Sequence, residues 1–152
     1  MSGVLYRLVY CSRNVIAQAM PGAVPEDEVR AILASARRSN RANSITGALL
    51  FTASGFAQVL EGRRDAVEAT FERINGDPRH ADVTVLSFTP TEARSFPDWA
   101  MGFSGQASPG STDPLTRLLA DVSLAGTRAI TGTDVLRMLE RVVHREDEWL
   151  TA

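Results

Sequence analysis

Two polar side chains that could support redox or hydrogen-bond chemistry stand in apolar, strand-like segments. Tyr10 closes the run LYRLVY, and Gln58 lies in the middle of FAQVL. A tyrosine can be oxidised and lose its hydroxyl proton in the same step, whereas a glutamine amide has a donor end and an acceptor end. A buried amide without partners costs about 1–3 kcal/mol. From the pattern alone, Gln58 could equally well face solvent or be buried. A tyrosine on a strand is usually a core residue whose hydroxyl reaches water, and this explanation also fits Tyr10.

Further polar and aromatic residues could line the same site. Asn40 follows the first predicted helix, Arg79 and His80 stand in the turn-like DPRH, and Trp99 alternates with Met101 on a predicted strand. Each has an ordinary explanation when taken alone. Asparagine is common at helix ends and turns, charged residues are common in solvated turns, and alternating apolar residues usually pack in the core.

Signatures of common catalytic or metal sites are absent from the sequence. It contains no Walker loop, no G-x-S-x-G elbow and no H-E-x-x-H motif. Cys11 is the single cysteine and cannot form an internal disulfide, while His80 and His144 are far apart, so no metal site is predicted. A lone cysteine at a strand end is more often buried than nucleophilic.

Hydrophobic periodicity predicts which elements must position these residues. The order is strand, helix, two strands joined by a turn, helix, strand, and then one more strand, which is the ferredoxin-like arrangement. The predicted class is therefore α+β, a β-α-β-β-α-β-β sheet with two helices on one face. The predicted strands cover residues 5–10, 45–52, 56–60, 83–88 and 99–103, and the predicted helices cover 25–39 and 65–75, with a loop over 14–25.

The remaining residues predict a helical appendage to this sheet domain. A polar linker over 105–113 precedes two predicted helices, one over 114–123 and one that starts with Thr133 as N-cap and runs toward Trp149. We therefore predict a sheet domain over 1–104, and a linker and helical cap over 105–152. The cap could pack on the sheet or meet another subunit.

Composition excludes several classes of partner. The chain has 152 residues and a formal net charge of −2, which gives no electrostatic footprint for nucleic acid or an anionic membrane. Its N-terminus is unlike a signal peptide, and no stretch reaches the roughly 18 apolar residues of a membrane span. We expect a cytoplasmic location with Cys11 reduced.

Five sequence pieces, taken in order, resemble the BLUF family of blue-light sensors using FAD. They span about residues 4–103 with the family's spacing, and the fold predicted above is also the family's fold. Any single piece is weak evidence, whereas all five in order are highly specific. The pieces are LYRLVYCS, SNRANSITGALL, FAQVLEG, DPRH and RSFPDWAMGF.

The resemblance implies a role for each candidate residue. Tyr10 is similar to the tyrosine that donates an electron to the excited flavin, and Gln58 to the glutamine that bridges that tyrosine and the flavin ring. Asn40 resembles the asparagine that binds the polar edge of the ring. Arg79 and His80 resemble residues near its other carbonyl edge. The last two, Trp99 and Met101, resemble the pair on strand five that relays the signal.

Two positions depart from the family's pattern. Ser39 stands where members often have asparagine or histidine, which removes one contact to the ring. Ala36 stands where a helix serine is common, which removes one partner of the glutamine. Neither change touches Tyr10 or Gln58, so we expect altered tuning and retained photochemistry.

The resemblance further implies a non-enzymatic photoreceptor that binds FAD non-covalently, with FMN or riboflavin as alternative flavins. Light would rearrange the hydrogen bonds of Gln58, shift the flavin absorption slightly to the red, and signal through strand five and the C-terminal helices. With no catalytic domain after residue 103, we expect output through a partner protein or a homo-oligomer.

Two other classes stay open at this point. One is a small ferredoxin-like enzyme of the acylphosphatase or flavin reductase type, in which Gln58 would orient a substrate and Arg79 and Asn40 would contact it. The sequence lacks the glycine-rich phosphate loop that such an enzyme would use. The other is a colourless interaction module, against which the set of Tyr10, Gln58 and Asn40 argues.

Overall fold

A computed structural model describes residues 4–52, 55–97, 101–106 and 131–146. Its strands are β1 (Leu5–Asn14), β2 (Thr46–Thr52), β3 (Gly55–Arg63), β4 (His80–Thr91) and β5 (Gly102–Gln106). Its helices are α1 (Ile16–Ala19), α2 (Pro25–Asn43), α3 (Arg64–Asn75) and α4 (Gly132–Glu146).

The strands form one sheet in the order β4-β1-β3-β2-β5. Strand β1 is antiparallel to both β3 and β4, β2 and β3 form an antiparallel hairpin, and β5 runs parallel to β2. This is the split βαβ arrangement, so the predicted α+β fold is confirmed. The predicted β2–β3 hairpin is confirmed too.

Several element boundaries differ from the prediction. The prediction that β3 ends at Glu61 and Gly62 is wrong, because β3 continues to Arg63 through its pairing with β1. Strand β5 covers Gly102–Gln106, and its predicted start at Trp99 lies outside the described residues. Backbone hydrogen bonds to a neighbouring strand can extend a strand beyond its apolar residues. The apolar pattern of the sequence does not show this extension.

Short helix α1 lies inside the segment that the sequence predicted as a loop. The side-chain oxygen of Asn14 accepts a hydrogen bond from the backbone N–H of Ile16 at 3.0 Å, which turns the chain out of β1. A single helical turn is too short to leave a periodic pattern in the sequence.

Helix α2 begins as predicted, with Pro25 in its first turn and three acidic residues after it. It ends later than the predicted position near Ser39 and Asn40. The helix continues to Asn43, where Ser44 takes a left-handed conformation with φ of 55°. The side chain of Asn43 donates to the carbonyl of Ser39 at 2.9 Å, so the polar residues of this turn satisfy the helix backbone.

The sheet is covered by helices on both faces. One face packs against α2 and α3, with Val29, Leu33 and Val67 in the core. The other face packs against α4. Neighbouring strand residues such as Val59 and Leu60 therefore belong to different clusters, as the alternation of side chains along a strand requires.

Helix α4 contributes Val135, Met138 and Leu139 to the second face. Its N-cap is Thr131 and not the predicted Thr133. The Thr131 hydroxyl accepts from the Asp134 backbone N–H, and the Asp134 carboxylate accepts from the Thr131 N–H, each at 3.1 Å.

The other predictions for the C-terminal part are only partly within the described residues. The predicted helix over 114–123 and the predicted end of the last helix near Trp149 lie outside them. Strand β5 reaches Gln106, two residues past the predicted domain boundary, and the division into domains stays a prediction. Among the described helices, none has the length and apolar character needed to cross a membrane.

Candidate functional site

Tyr10 and Gln58 lie side by side at directly paired positions of β1 and β3. The Tyr10 hydroxyl donates to Oε1 of Gln58 at 2.5 Å, and both side chains are at least 96% buried. The solvent-facing alternative for Gln58 is therefore wrong. At the same point, the β1–β4 pairing is irregular between Val9 and Tyr10. Such irregularities re-aim side chains and are common beside functional sites.

The other end of the Gln58 amide points to Met101. Nε2 of Gln58 donates to Sδ of Met101 at 3.4 Å, and Met101 is 2% exposed. The Met101 carbonyl accepts from Nε of Arg37 on α2 at 3.0 Å. Met101 is thus held through its side chain by β3 and through its backbone by α2.

These residues border a cavity between the sheet and helices α2 and α3. Its volume is about 60 Å³, below the range of about 300–1,000 Å³ typical of small-molecule sites, and it is partly open to solvent. Its walls are mostly apolar, and Asp77, Arg79 and His80 lie together at the α3–β4 turn, which forms its polar end. The lining residues are Tyr10, Ile32, Ala36, Leu49, Phe56, Gln58, Ile74, Asp77, Arg79 and His80.

Arg79 lines the cavity as part of a charged cluster at the α3–β4 turn. Its Nε and Nη2 donate to the two carboxylate oxygens of Asp77, at 2.9 and 2.6 Å, and its Nη1 lies 3.4 Å from Glu28 of α2. Burial by itself would raise the pKa of the Asp77 carboxyl group. The hydrogen bonds from Arg79 nevertheless hold this pKa below its ordinary value. The same pairing raises the pKa of Arg79.

His80 bridges three elements at the polar end of the cavity. Its Nε2 lies 2.8 Å from the carbonyl of Ile74, and its Nδ1 lies 2.8 Å from the hydroxyl of Ser12. A carbonyl can only accept, so Nε2 carries a proton, and in the neutral ring Nδ1 accepts from Ser12. The imidazole meets the rings of Tyr10 and Phe56 edge-on, each with centroids 6.1 Å apart.

Asn40 is buried but does not line the cavity. It lies one turn after Ala36 on α2, on the same face as Ile32 and Ala36, which do line it. Its backbone carbonyl accepts from the N–H of Ile45 at 2.9 Å. The structure therefore places Asn40 next to the cavity, at the end where α2 passes into β2.

The two departures from the family's pattern also have defined surroundings. Ser39 accepts a hydrogen bond from Arg73 of α3 at 2.6 Å, so it ties α2 to α3. Ala36 presents only a methyl group to the cavity. The amide nitrogen of Gln58 is satisfied by Met101 without a serine at that position.

Three functional candidates escaped the sequence analysis. Asp77 is the first residue of the DPRH piece, and its position two residues before Arg79 was the available signal. Ser12 follows Tyr10 by two positions and shares its strand face. Nothing in the sequence pattern distinguished Glu61, which is fully buried on β3.

Burial shapes the proton chemistry of the two neighbouring residues on β1. Burial, with smaller contributions from Asp77 and Cys11, raises the pKa of the Tyr10 hydroxyl. Burial also raises the pKa of the Cys11 thiol to about 11, so Cys11 is a neutral thiol at pH 7 and a poor nucleophile.

Sequence comparison assigns the family. Residues 5–102 match the profile described as "Sensors of blue-light using FAD". The chain belongs to the BLUF family. The family assignment made from the five pieces is therefore confirmed, and the BLUF domain is a photoreceptor domain that is not itself catalytic.

Individual BLUF relatives agree with this assignment. The beta subunit of photoactivated adenylate cyclase from Euglena gracilis is 36% identical over 101 residues, which are 66% of this chain and 12% of that protein. The chain thus spans about an eighth of the length of that relative. The dark-state structure of BlrB, a BLUF protein, superposes with a TM-score of 0.69 at 28% identity, over 96% of this chain and 99% of BlrB.

A third BLUF relative was solved with a flavin. Klebsiella pneumoniae BlrP1 with FMN and cyclic diGMP is 31% identical to this chain, with a TM-score of 0.59 over 80% of this chain and 35% of that one. The flavin and the dinucleotide are ligands of BlrP1.

The cavity of this chain has the chemistry that a flavin requires. The apolar walls supplied by Ile32, Leu49 and Ile74 suit a flat aromatic ring system, and the polar groups at one end suit its carbonyl and nitrogen edge. The side chain of Gln58 lines this space, and its amide oxygen contacts Tyr10 while its amide nitrogen contacts Met101.

Proposed function

We propose that this chain is a blue-light photoreceptor that binds FAD non-covalently in the cavity between the sheet, α2 and α3. The Tyr10–Gln58–Met101 chain of contacts at the cavity wall carries this proposal. Asn40 would contact one polar edge of the ring from the end of α2, and Arg79 and His80 would contact its other carbonyl edge from the α3–β4 turn and the start of β4. FMN or riboflavin would satisfy the same contacts, since these contacts involve only the ring.

The bound flavin supplies blue absorption and, once excited, an electron acceptor. Tyr10 would be the donor: one electron and its hydroxyl proton would both pass to the excited flavin, and both would return to Tyr10 afterwards. Its raised pKa supports this coupling, because the proton does not leave the buried hydroxyl by itself near pH 7. The proton's partner in the resting protein is Oε1 of Gln58.

Gln58 acts as the switch. While Tyr10 donates to it, its oxygen faces Tyr10 and its nitrogen faces Met101. Once Tyr10 has lost its proton, that oxygen loses its donor, and turning the amide presents a donor to Tyr10 instead. The turn breaks the contact between Nε2 and Met101 without any movement of the backbone.

The predicted output route begins at Met101 and continues through β5 and the C-terminal helix. Output would then pass to a partner protein or between copies of this chain, because the domain itself holds no catalytic signature in its sequence. Trp99 belongs to the same predicted relay, and its location is outside the described residues. The cytoplasmic location inferred from the sequence remains a prediction.

Absorption spectroscopy tests the proposal. Purified protein supplied with FAD should show a flavin spectrum that shifts slightly to the red under blue light and relaxes in the dark. Gln58→Leu should bind flavin but show no shift, whereas Gln18→Leu, a change of an exposed glutamine on α1, should behave as wild type. A protein that stays colourless, or that is coloured and inert to light, would overturn the proposal.

A further inference from the structure

A fully buried carboxylate lies on the face of the sheet opposite the cavity. Glu61 follows Gln58 by three residues on β3 and is 0% exposed. Residues three apart on a strand point to opposite faces, so Gln58 faces the cavity and Glu61 lies on the α4 side, where Val59 also packs. A buried carboxylate is costly unless it is paired and hydrogen-bonded.

The partners of Glu61 come from β1 and from the segment that follows β4. Its Oε2 accepts from Nε of Arg7 at 2.8 Å and from the backbone N–H of Ser95 at 2.9 Å, and its Oε1 accepts from the backbone N–H of Phe96 at 2.9 Å. Arg7 also donates to the Ser95 hydroxyl at 2.8 Å and to the Ala93 carbonyl at 3.2 Å. Together, Glu61 and Arg7 fix the backbone of residues 93–96.

This fixed segment leads from one face of the sheet to the other. Phe96 is 1% exposed and packs in the cluster that contains Val135, Met138 and Leu139 of α4. Met101, five positions later, is buried in the cluster on the cavity face and contacts Gln58. Phe96 and Met101, five positions apart in the chain, therefore lie on opposite faces of the sheet, one beside α4 and the other beside Gln58.

We infer that Glu61 is a positioning residue for the light response, because it fixes the Phe96 end of the segment whose Met101 end contacts Gln58. When Phe96 is held in place, the release of Met101 by Gln58 changes how Phe96 packs against α4. Without Glu61, Phe96 is held less firmly, so a smaller part of the change at Met101 reaches α4. The inference rests on the proposed function, since it requires a light-driven change at Gln58.

Hydrogen exchange on the flavin-loaded protein tests this role. In wild type, blue light should change the exchange of amides in α4 as well as the flavin absorption. In Glu61→Gln, one carboxylate oxygen is replaced by an amide NH2 group, so at least one of the hydrogen bonds from the backbone N–H groups of Ser95 and Phe96 is lost. We expect the red shift to be retained and the light-minus-dark difference in α4 to become smaller than in wild type. A purely structural role would lower stability in both states and leave that difference intact, which would overturn the inference.

A second pair of variants covers a Glu61→Gln protein that does not fold. Arg7→Gln removes the bonds to Glu61, Ser95 and Ala93, whereas Arg13→Gln removes an exposed ion pair with Asp82 from the same strand. In Arg7→Gln, blue light should still produce the red shift but a smaller change in the hydrogen exchange of α4 than in wild type. In Arg13→Gln, both the red shift and the change in exchange should match wild type. Equal coupling in the two variants overturns the role of the Glu61 cluster while the proposed function stands. A wild-type protein with no red shift overturns the proposed function itself.

Discussion

The hydroxyl of Tyr10 and the amide oxygen of Gln58 are 2.5 Å apart, at positions that face each other directly across β1 and β3. The two residues are 48 positions apart in sequence. Antiparallel pairing brings them together on one face of the sheet, and burial removes water as a competing partner. The hydroxyl of Tyr10 and the amide of Gln58 are therefore already hydrogen-bonded in the resting protein.

Replacement of Tyr10 should separate flavin binding from the light response. We expect Tyr10→Phe to bind flavin and to lose the reversible red shift, because the ring still fills its place but no hydroxyl proton can accompany the electron. Tyr6→Phe is the matched control, since Tyr6 lies on the same strand and packs against Phe88. Difference spectra before and after blue light measure the effect, and a full shift in Tyr10→Phe would contradict the assignment.

Replacement of Met101 should change the lifetime of the lit state. Met101→Leu keeps the volume but removes the sulfur that accepts from Nε2 of Gln58, so the resting orientation of the amide loses a partner. We expect dark recovery to slow by roughly three- to tenfold, corresponding to the loss of a weak hydrogen bond of about 1 kcal/mol. Met138→Leu, on the α4 face, should leave the recovery rate unchanged. Equal rates in the two variants would argue against a contact between Met101 and the switch.

Loss of the Asp77 charge should weaken flavin binding. Asp77→Asn leaves one acceptor oxygen where Arg79 now has two, so Arg79 is no longer fixed at the cavity wall. We expect the Kd for FAD to rise about tenfold, in line with about 1.5 kcal/mol for one hydrogen bond to a charged group. Fluorescence titration measures this, with Asp82→Asn as the control because Asp82 makes an exposed ion pair with Arg13. An unchanged Kd in Asp77→Asn would exclude this role.

Alkaline stability should depend on Cys11. Burial raises the pKa of its thiol from 9.0 to about 11. Because the folded pKa is the higher one, the stabilisation is fully present below about pH 9 and is lost as the pH rises through 11. Between these values we expect the free energy of unfolding to fall by about 2 kcal/mol more in wild type than in Cys11→Ala. Urea unfolding across this range measures the difference, and parallel pH profiles would contradict it.

The sequence carried enough information for the order of the main elements and for the family. Apolar residues at strand or helix spacing marked α2, α3 and the strands, since local periodicity reflects which face of each element is buried. The five pieces placed Tyr10, Gln58, Arg79 and His80 in one family site, and the structure brings these four to one cavity. Their photochemical roles remain predictions.

What only the tertiary structure decided depends on pairing between distant segments. Periodicity shows that Gln58 and Glu61 point to opposite faces of β3, but not which face holds the cavity and which is covered by α4. It also cannot show that the buried Glu61 meets the backbone of Ser95 and Phe96, or that Met101 reaches the amide of Gln58. These contacts arise from strand register and from the path of the chain between β4 and β5, and no local pattern of side chains encodes either one.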